Sequence, residues 1–159
     1  MEKVTIDDLA LASNPPAAVQ RNLTRPLGTE DVALNYYELE TGDSFAYAYH
    51  NHGIQEELFY VLEGTATFET ESGDVDVDAG EVIRFPPGEY QRGTNRGDER
   101  VVALALGAPL DYGEMDKTRA CPDCGAFTSQ EFGMDGEDYV ATCTACGTET
   151  GRWPPATSR

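Results

Sequence analysis

Lysine is nearly missing from this chain of 159 residues: Lys3 and Lys117 are its only two, beside nine arginines and 29 acidic side chains. The net charge of −18 argues against nonspecific binding to nucleic acid at low salt, whereas in molar salt the field is screened and charge alone does not decide the matter. Long apolar runs are lacking too. No stretch reaches the roughly 18 consecutive apolar residues of a transmembrane helix, although 40% of residues are hydrophobic, enough for a packed core. The opening Met1-Glu2-Lys3-Val4-Thr5-Ile6-Asp7-Asp8 lacks the basic-then-apolar order of a secretory signal, so a cytoplasmic protein is expected. Cysteine is absent from the first 120 positions, and histidine from every position but 50 and 52.

The acids are not gathered in a tail. Residues 1–111 carry 21 acidic and 7 basic side chains, and residues 112–159 carry 8 and 4, so the charge belongs to folded surface throughout. Dense acid with little lysine resembles proteins of salt-loving archaea, where concentrated salt screens the self-repulsion.

The two histidines stand in His50-Asn51-His52, ahead of Glu56-Glu57 and the apolar run Leu58 to Leu62. The stretch Phe45-Ala46-Tyr47-Ala48-Tyr49 alternates large with small, which reads as a strand with successive side chains on opposite faces. His50 and His52 then share a face with Ala46 and Ala48, and Glu57 follows on the next strand. Two imidazoles and a carboxylate on neighbouring strands form a facial set suited to a divalent transition metal. The plainer reading is two ordinarily hydrogen-bonded histidines; the pairing of the chain's only two, with Glu57 close by, favours the metal.

Around this centre the chain is a run of short strands: Val32 to Leu39, Ser44 to His52, Glu57 to Glu63, Thr65 to Thr70, Asp74 to Val77, Glu81 to Phe85 and Arg100 to Leu106. Gly- and Pro-rich turns separate them with no helix between, which predicts an antiparallel sandwich or barrel. Residues 1–31 read as a short helix opening at Thr5 and an irregular segment packing on the barrel. Residues 32–107 form the barrel, 108–117 a linker, 118–153 a small second module and 154–159 a flexible tail. Arg84 is expected to face outward. Tyr47, Tyr49, Phe59 and Tyr60 are expected in the core or at an interface.

Two motifs on these strands carry a resemblance. His50-x-His52-x4-Glu57-x6-Gly64, followed by Gly80-x5-Pro86-x-Gly88-x2-Gln91-x3-Asn95, is similar to the paired motifs of the cupin superfamily. The resemblance implies an all-β fold, a cupin-type double-stranded β-helix (jelly-roll) barrel with its site inside. It also implies metal ligands at His50, His52, Glu57 and the position of Gln91, where the family pattern has histidine. An amide oxygen binds Ni, Cu or Zn more weakly than an imidazole does. Gln91 is thus a weak ligand, a partner of a metal-bound water, or a hydrogen-bonding group in a metal-free barrel. Glu89 is an alternative ligand whose direction the alternation leaves open. The metal implied is divalent: Fe, Mn, Ni or Zn. Small cupins commonly pair as homodimers.

The second module is defined by Cys121-x2-Cys124-x18-Cys143-x2-Cys146, the spacing of a four-cysteine zinc site. It looks like a zinc ribbon with strands near Phe127 to Phe132 and Tyr139 to Thr142. Two disulfides or loose thiols are the alternatives, but a module this small needs a staple. Thiolate coordination leaves no open position, so this zinc is structural. Phe127, Phe132 and Tyr139 are expected in its core and Trp153 outside it. Two functions follow. One is a metal-dependent cupin of dioxygenase, isomerase or decarboxylase type acting on a small molecule. The other is a non-enzymatic ligand-sensing module with a metal-free barrel, its ribbon meeting a protein partner.

Overall fold

The structure, a computed structural model, describes residues 1–156. The end of the expected tail, residues 157–159, lies outside the described residues. In chain order the strands are β1 Val19–Asn22, β2 Ala33–Leu39, β3 Tyr49–His50, β4 Glu56–Glu63, β5 Thr65–Thr70, β6 Gly73–Asp78 and β7 Val82–Phe85. They continue as β8 Gln91–Thr94, β9 Val101–Ala108, β10 Lys117–Cys121, β11 Ala126–Asp135, β12 Asp138–Cys143 and β13 Glu149–Trp153. The only helical pieces among the described residues are a 3-10 turn at Ile6–Asp8 and one turn of α-helix at Thr24–Leu27.

The strands form two sheets, ordered β1-β2-β9-β4-β7 and β13-β12-β11-β10-β3-β8-β5-β6. Their facing sides enclose a core of Leu39, Phe45, Phe59, Val61, Phe68, Phe85, Val101 and Ala103. Alternation explains the selection: in β9, Val101, Ala103 and Ala105 turn inward at 0, 0 and 7% exposure. The phenylalanines interlock, with ring centroids of Phe45 and Phe59 5.7 and 4.9 Å from that of Phe68. Each such burial is worth about 1.5–3 kcal/mol.

Two glycines are demanded by close approach. At Gly93 in β8 a Cβ would sit 2.5 Å from both Phe45 and Phe68. At Gly64, with φ of 74°, it would sit 2.5 Å from the Arg100 carbonyl oxygen. Asn95, buried at 1% exposure, donates to the carbonyls of Leu39 and Glu99 at 3.0 and 2.8 Å and accepts from the Gly97 amide, so it locks the turn before β9.

Some local expectations give way. The stretch 44–52 is not one continuous strand: Ser44 makes an isolated bridge to Thr94, residues 45–48 bend, and only Tyr49–His50 pair as β3. The bend resets the alternation, so Phe45 and His50, at odd and even positions, both end up buried. Residues 19–22, read as irregular, form the edge strand β1 against β2. Residues 91–94 form β8, although Gln-Arg-Gly-Thr has no strand-forming pattern. Arg84 does face outward, paired with Glu56.

The four-cysteine segment extends the barrel's second sheet. β10 pairs with β3, Lys117 opposite His50 and Thr118 opposite Tyr49, and β11, β12 and β13 follow in a meander. Two aromatics trade the roles expected of them. Phe127 is 64% exposed. Trp153 packs edge-on against Tyr47 at 4.9 Å, with Tyr139 also 4.9 Å and Phe132 6.1 Å from that ring. The register brings Tyr139 and Trp153 opposite one another, and the barrel's Tyr47 supplies the surface they cover.

Candidate metal and ligand site

His50 lies on β3 between Gln91 of β8 and Lys117 of β10. Its Nδ1 is 3.0 Å from the Ala48 carbonyl oxygen, which can only accept, so Nδ1 carries the proton and Nε2 is left bare. That bare nitrogen lies 3.7 Å from Oε2 of Glu57, on β4 of the opposite sheet. Fixing one ring nitrogen on a carbonyl so that the other is presented is the usual support of a metal-bound histidine.

His52 brings Nδ1 to 3.8 Å from Glu57 Oε1. The ligand atoms of His50, His52 and Glu57 all lie within 4.8 Å of one another. Burial, and the neighbouring His50, hold the His52 imidazole below its usual titration range, against the opposing pull of Glu57. Burial pushes the Glu57 carboxyl up, but His50, His52 and the Gln91 amide outweigh it and keep the group ionised below its usual range. Above the ordinary histidine range the centre therefore sets a carboxylate against a neutral His52 imidazole.

Gln91, 2% exposed, donates its amide N–H to Glu57 Oε2 at 2.8 Å, and that nitrogen lies 3.4 Å from His50 Nε2. Two buried atoms of this group have no hydrogen-bond partner in the protein: His52 Nδ1 and Gln91 Oε1. An unpaired buried polar atom costs about 1–3 kcal/mol. A cation beside Glu57 would satisfy His52 Nδ1, so the two histidines and the carboxylate fit a divalent ion, whereas Gln91 now turns its N–H, not its oxygen, toward that carboxylate. Glu89 belongs neither to this group nor to the cavity lining.

The site opens into a cavity of about 590 Å³, within the range of small-molecule pockets. Beyond the histidines it is lined by Tyr37, Gln20 and Asn35 from the barrel, and by Lys117, Phe132 and Tyr139 from the cysteine-bearing strands. None of these six stood out as pocket residues in the sequence. They come from five strands that only pairing brings together, and no local pattern marks them. Gln55, 5% exposed, donates to the Pro109 carbonyl at 2.6 Å and packs where a Cβ on Gly107 would fall, so it fixes the strand exit at the cavity rim.

The second cluster is of sulfur. Cys121 and Cys146 Sγ are 3.5 Å apart, Cys124 and Cys143 Sγ 3.9 Å, and all four lie within 4.8 Å of one another. Four thiolates at tetrahedral zinc, with bonds of about 2.3 Å, sit about 3.8 Å from each other. The proximity is thus compatible with a zinc site. Each knuckle closes on a glycine, with the Gly125 amide donating to Cys121 O and that of Gly147 to Cys143 O, both at 2.9 Å. The Thr128 hydroxyl, 3.1 Å from Cys143 Sγ, leads the contacts that bring this thiol down to about 6.

Residues 35–107 match the family model described as Cupin domain. The match and the barrel together support the cupin superfamily. Solved structures agree in fold. A sugar phosphate isomerase from a cupin superfamily, from Silicibacter pomeroyi DSS-3, is 19% identical with a TM-score of 0.60, over 93% of this chain and 91% of that one. The polyketide cyclase RemF from Streptomyces resistomycificus is 23% identical with a TM-score of 0.63, over 79% and 90%. An uncharacterized protein with a double-stranded β-helix domain from Klebsiella pneumoniae subsp. pneumoniae MGH 78578 is 19% identical with a TM-score of 0.58, over 74% and 96%. The first of these similarities reaches beyond the barrel into the cysteine-bearing strands, since 93% of the chain cannot be covered without them. No curated protein matches the sequence. Among the described residues no helix is long and apolar enough to cross a membrane.

Proposed function

We propose that the cupin barrel is a divalent-metal site that takes a small organic ligand, with His50, His52 and Glu57 holding the ion and Gln91 as fourth, weaker partner. The observation that carries this reading is the convergence of His50, His52 and an ionised Glu57 at the edge of the cavity, with His52 Nδ1 buried and without a partner. Two histidines and one carboxylate suit Fe(II) or Mn(II), with Ni or Zn weakened by the amide. When bound, the metal supplies Lewis acidity and an anchor for a ligand oxygen. The protein's own part is to hold His50 in the tautomer that presents Nε2, keep His52 neutral and surround the ligand with aromatic and amide side chains. The fold names no reaction, so a substrate screen should span dioxygenation, isomerisation and decarboxylation.

In this reading Cys121, Cys124, Cys143 and Cys146 hold a structural zinc. Metal content of the full chain, purified in high salt, tests both sites. One equivalent of zinc is expected, with a second metal that a His50→Ala/His52→Ala variant loses. A chain that holds only the cysteine zinc after reconstitution with iron and manganese would overturn the barrel reading. The metal-free, ligand-sensing alternative would then stand, supported by the Gln91 amide, which satisfies Glu57 without an ion.

The acidic surface suits concentrated salt, and the melting temperature is expected to rise as molar salt is added. A homodimer finds an edge in β7, where Val82 is 58% exposed beside Tyr60 and Leu62 of β4 at 37 and 39%. Light scattering is expected to give a dimer, reduced to a monomer by Val82→Asp.

A further inference from the structure

Residues 112–117, within the 108–117 linker expected from the sequence, run alongside the histidine segment. The backbone amides of Asn51, Gly53 and Ile54 donate to the carbonyls of Asp116, Glu114 and Tyr112 at 3.3, 2.7 and 3.3 Å. A Cβ on Gly53 would lie 3.1 Å from the Glu114 carbonyl oxygen, so the two backbones touch. β10 then sets Lys117 directly opposite His50, which on its other side is opposite Gln91. Directly opposed residues of antiparallel strands project from the same face, with Cβ atoms about 4.5–5.5 Å apart. Gln91, His50 and Lys117 therefore form one row across three strands, and the last two line the cavity.

Lys117 is unusual in its setting. It is one of two lysines in a chain with 29 acids, yet none of the ion pairs among the described residues includes it. The adjacent carboxylate, Asp116, accepts from the Tyr90 hydroxyl at 3.0 Å. The Lys117 ammonium instead lies 5.2 Å from the centroid of Phe132, a second cavity-lining residue of the cysteine-bearing strands. An ammonium has no lone pair with which to bind a metal. Beside a metal-capable centre it can offer N–H donors and a positive charge to what the metal holds.

We propose that the four-cysteine module completes the barrel's ligand site, with Lys117 as the cation that receives an anionic group of the ligand, a carboxylate or a phosphate. The proposal rests on the reading of the barrel as a ligand site. It gives the module a task distinct from capturing a protein partner: it closes one wall of the cavity with Phe132 and Tyr139 and places the charge. Arg119 anchors that wall, its guanidinium donating to the carbonyls of Tyr47 and Thr150 and lying 5.0 Å from the Trp153 ring.

The test is calorimetric titration of the full, zinc-loaded chain with inorganic phosphate and with acetate, in the presence and absence of Mn(II). Wild type is compared with Lys117→Gln and Lys117→Arg. Loss of one charge-assisted contact is expected to weaken anion binding about tenfold in Lys117→Gln, with Lys117→Arg within about threefold of wild type and Mn(II) affinity little changed. Weakening of both anions assigns Lys117 to any small anion; weakening of phosphate alone assigns it to a phosphate ester. Equal binding by wild type and Lys117→Gln, or no anion binding by the Mn(II)-loaded chain, overturns the proposal while leaving the metal site standing. Failure to bind Mn(II) overturns the metal reading, and the Mn(II)-free titrations then still decide on Lys117. Removal of the cysteine-bound zinc with an organomercurial is expected to abolish the Lys117-dependent binding, and its survival would show that the module is dispensable.

Discussion

The two metal-capable clusters of this chain are built on opposite principles. The His50, His52 and Glu57 group hangs from strands that a core of interlocked phenylalanines holds in place whether or not an ion is present. The four cysteines sit at the ends of β10 and β12 and in the turns after them, in a module that buries little of its own: Cys121, Ala141 and Cys143 are its buried apolar side chains. The first cluster offers three ligand residues beside a cavity, so a metal there would keep open positions. The second offers four sulfurs, which would fill a tetrahedral ion and leave it none. On the proposed reading, metal would be chemistry in the barrel and folding energy in the module.

The sharpest test of that contrast is Cys143→Ser. It is expected to abolish zinc binding and to raise amide exchange across β11 and β12 by at least about a hundredfold, while β4 and β9 keep their protection. Equal protection throughout would mean that the module holds itself together. Next in size is Phe68→Ala in the barrel core, expected to destabilise by about 3–5 kcal/mol in denaturant unfolding, with zinc content unchanged. Gly93→Ala forces a methyl against Phe45 and Phe68 and should cost about 1–3 kcal/mol by the same measurement. His50→Ala/His52→Ala should remove Mn(II) binding yet alter unfolding free energy by no more than about 1 kcal/mol, since it also removes a buried unpaired nitrogen.

The smallest effect is on pH. Because His52 titrates below its ordinary value of 6.5 in the fold, the unfolded chain takes up the proton first, and metal-free stability falls as pH drops below about 6.5. Glu57 titrates below its ordinary 4.5, so its contribution is complete above that value and is lost as pH falls through its folded value. Chemical unfolding across that range is expected to show both steps, and His52→Ala should erase the upper one. An unchanged upper step would assign it to a group outside the centre.

Much of the barrel was legible because strands write themselves in period two. β2, β4, β5, β6, β7 and β9 fall where alternation and turn residues put them, and His50, His52 and Glu57 do converge. The cysteines converge as their spacing predicts. The strand at Gln91–Thr94 was hidden because its residues were chosen by neighbours: glycine to admit two phenylalanine rings, glutamine to reach Glu57. The continuous strand expected at 44–52 was misread because a bend at 45–48 breaks the period on which the reading relied. Phe127 and Trp153 were exchanged because hydrophobicity ranks residues for burial but does not say which face a register turns toward a neighbour.

By itself the sequence determined the class of the fold, the histidine–carboxylate centre, the four-sulfur cluster and the acidic surface. Each of these is encoded in residue identities at short spacing. Only the tertiary structure decided that β10 pairs beside His50, that Tyr47 anchors the second module and that Lys117, Phe132 and Tyr139 face the barrel's cavity. Such contacts join segments far apart in the chain. They are chosen by the free energy of burying both surfaces at once, which no single stretch of sequence carries.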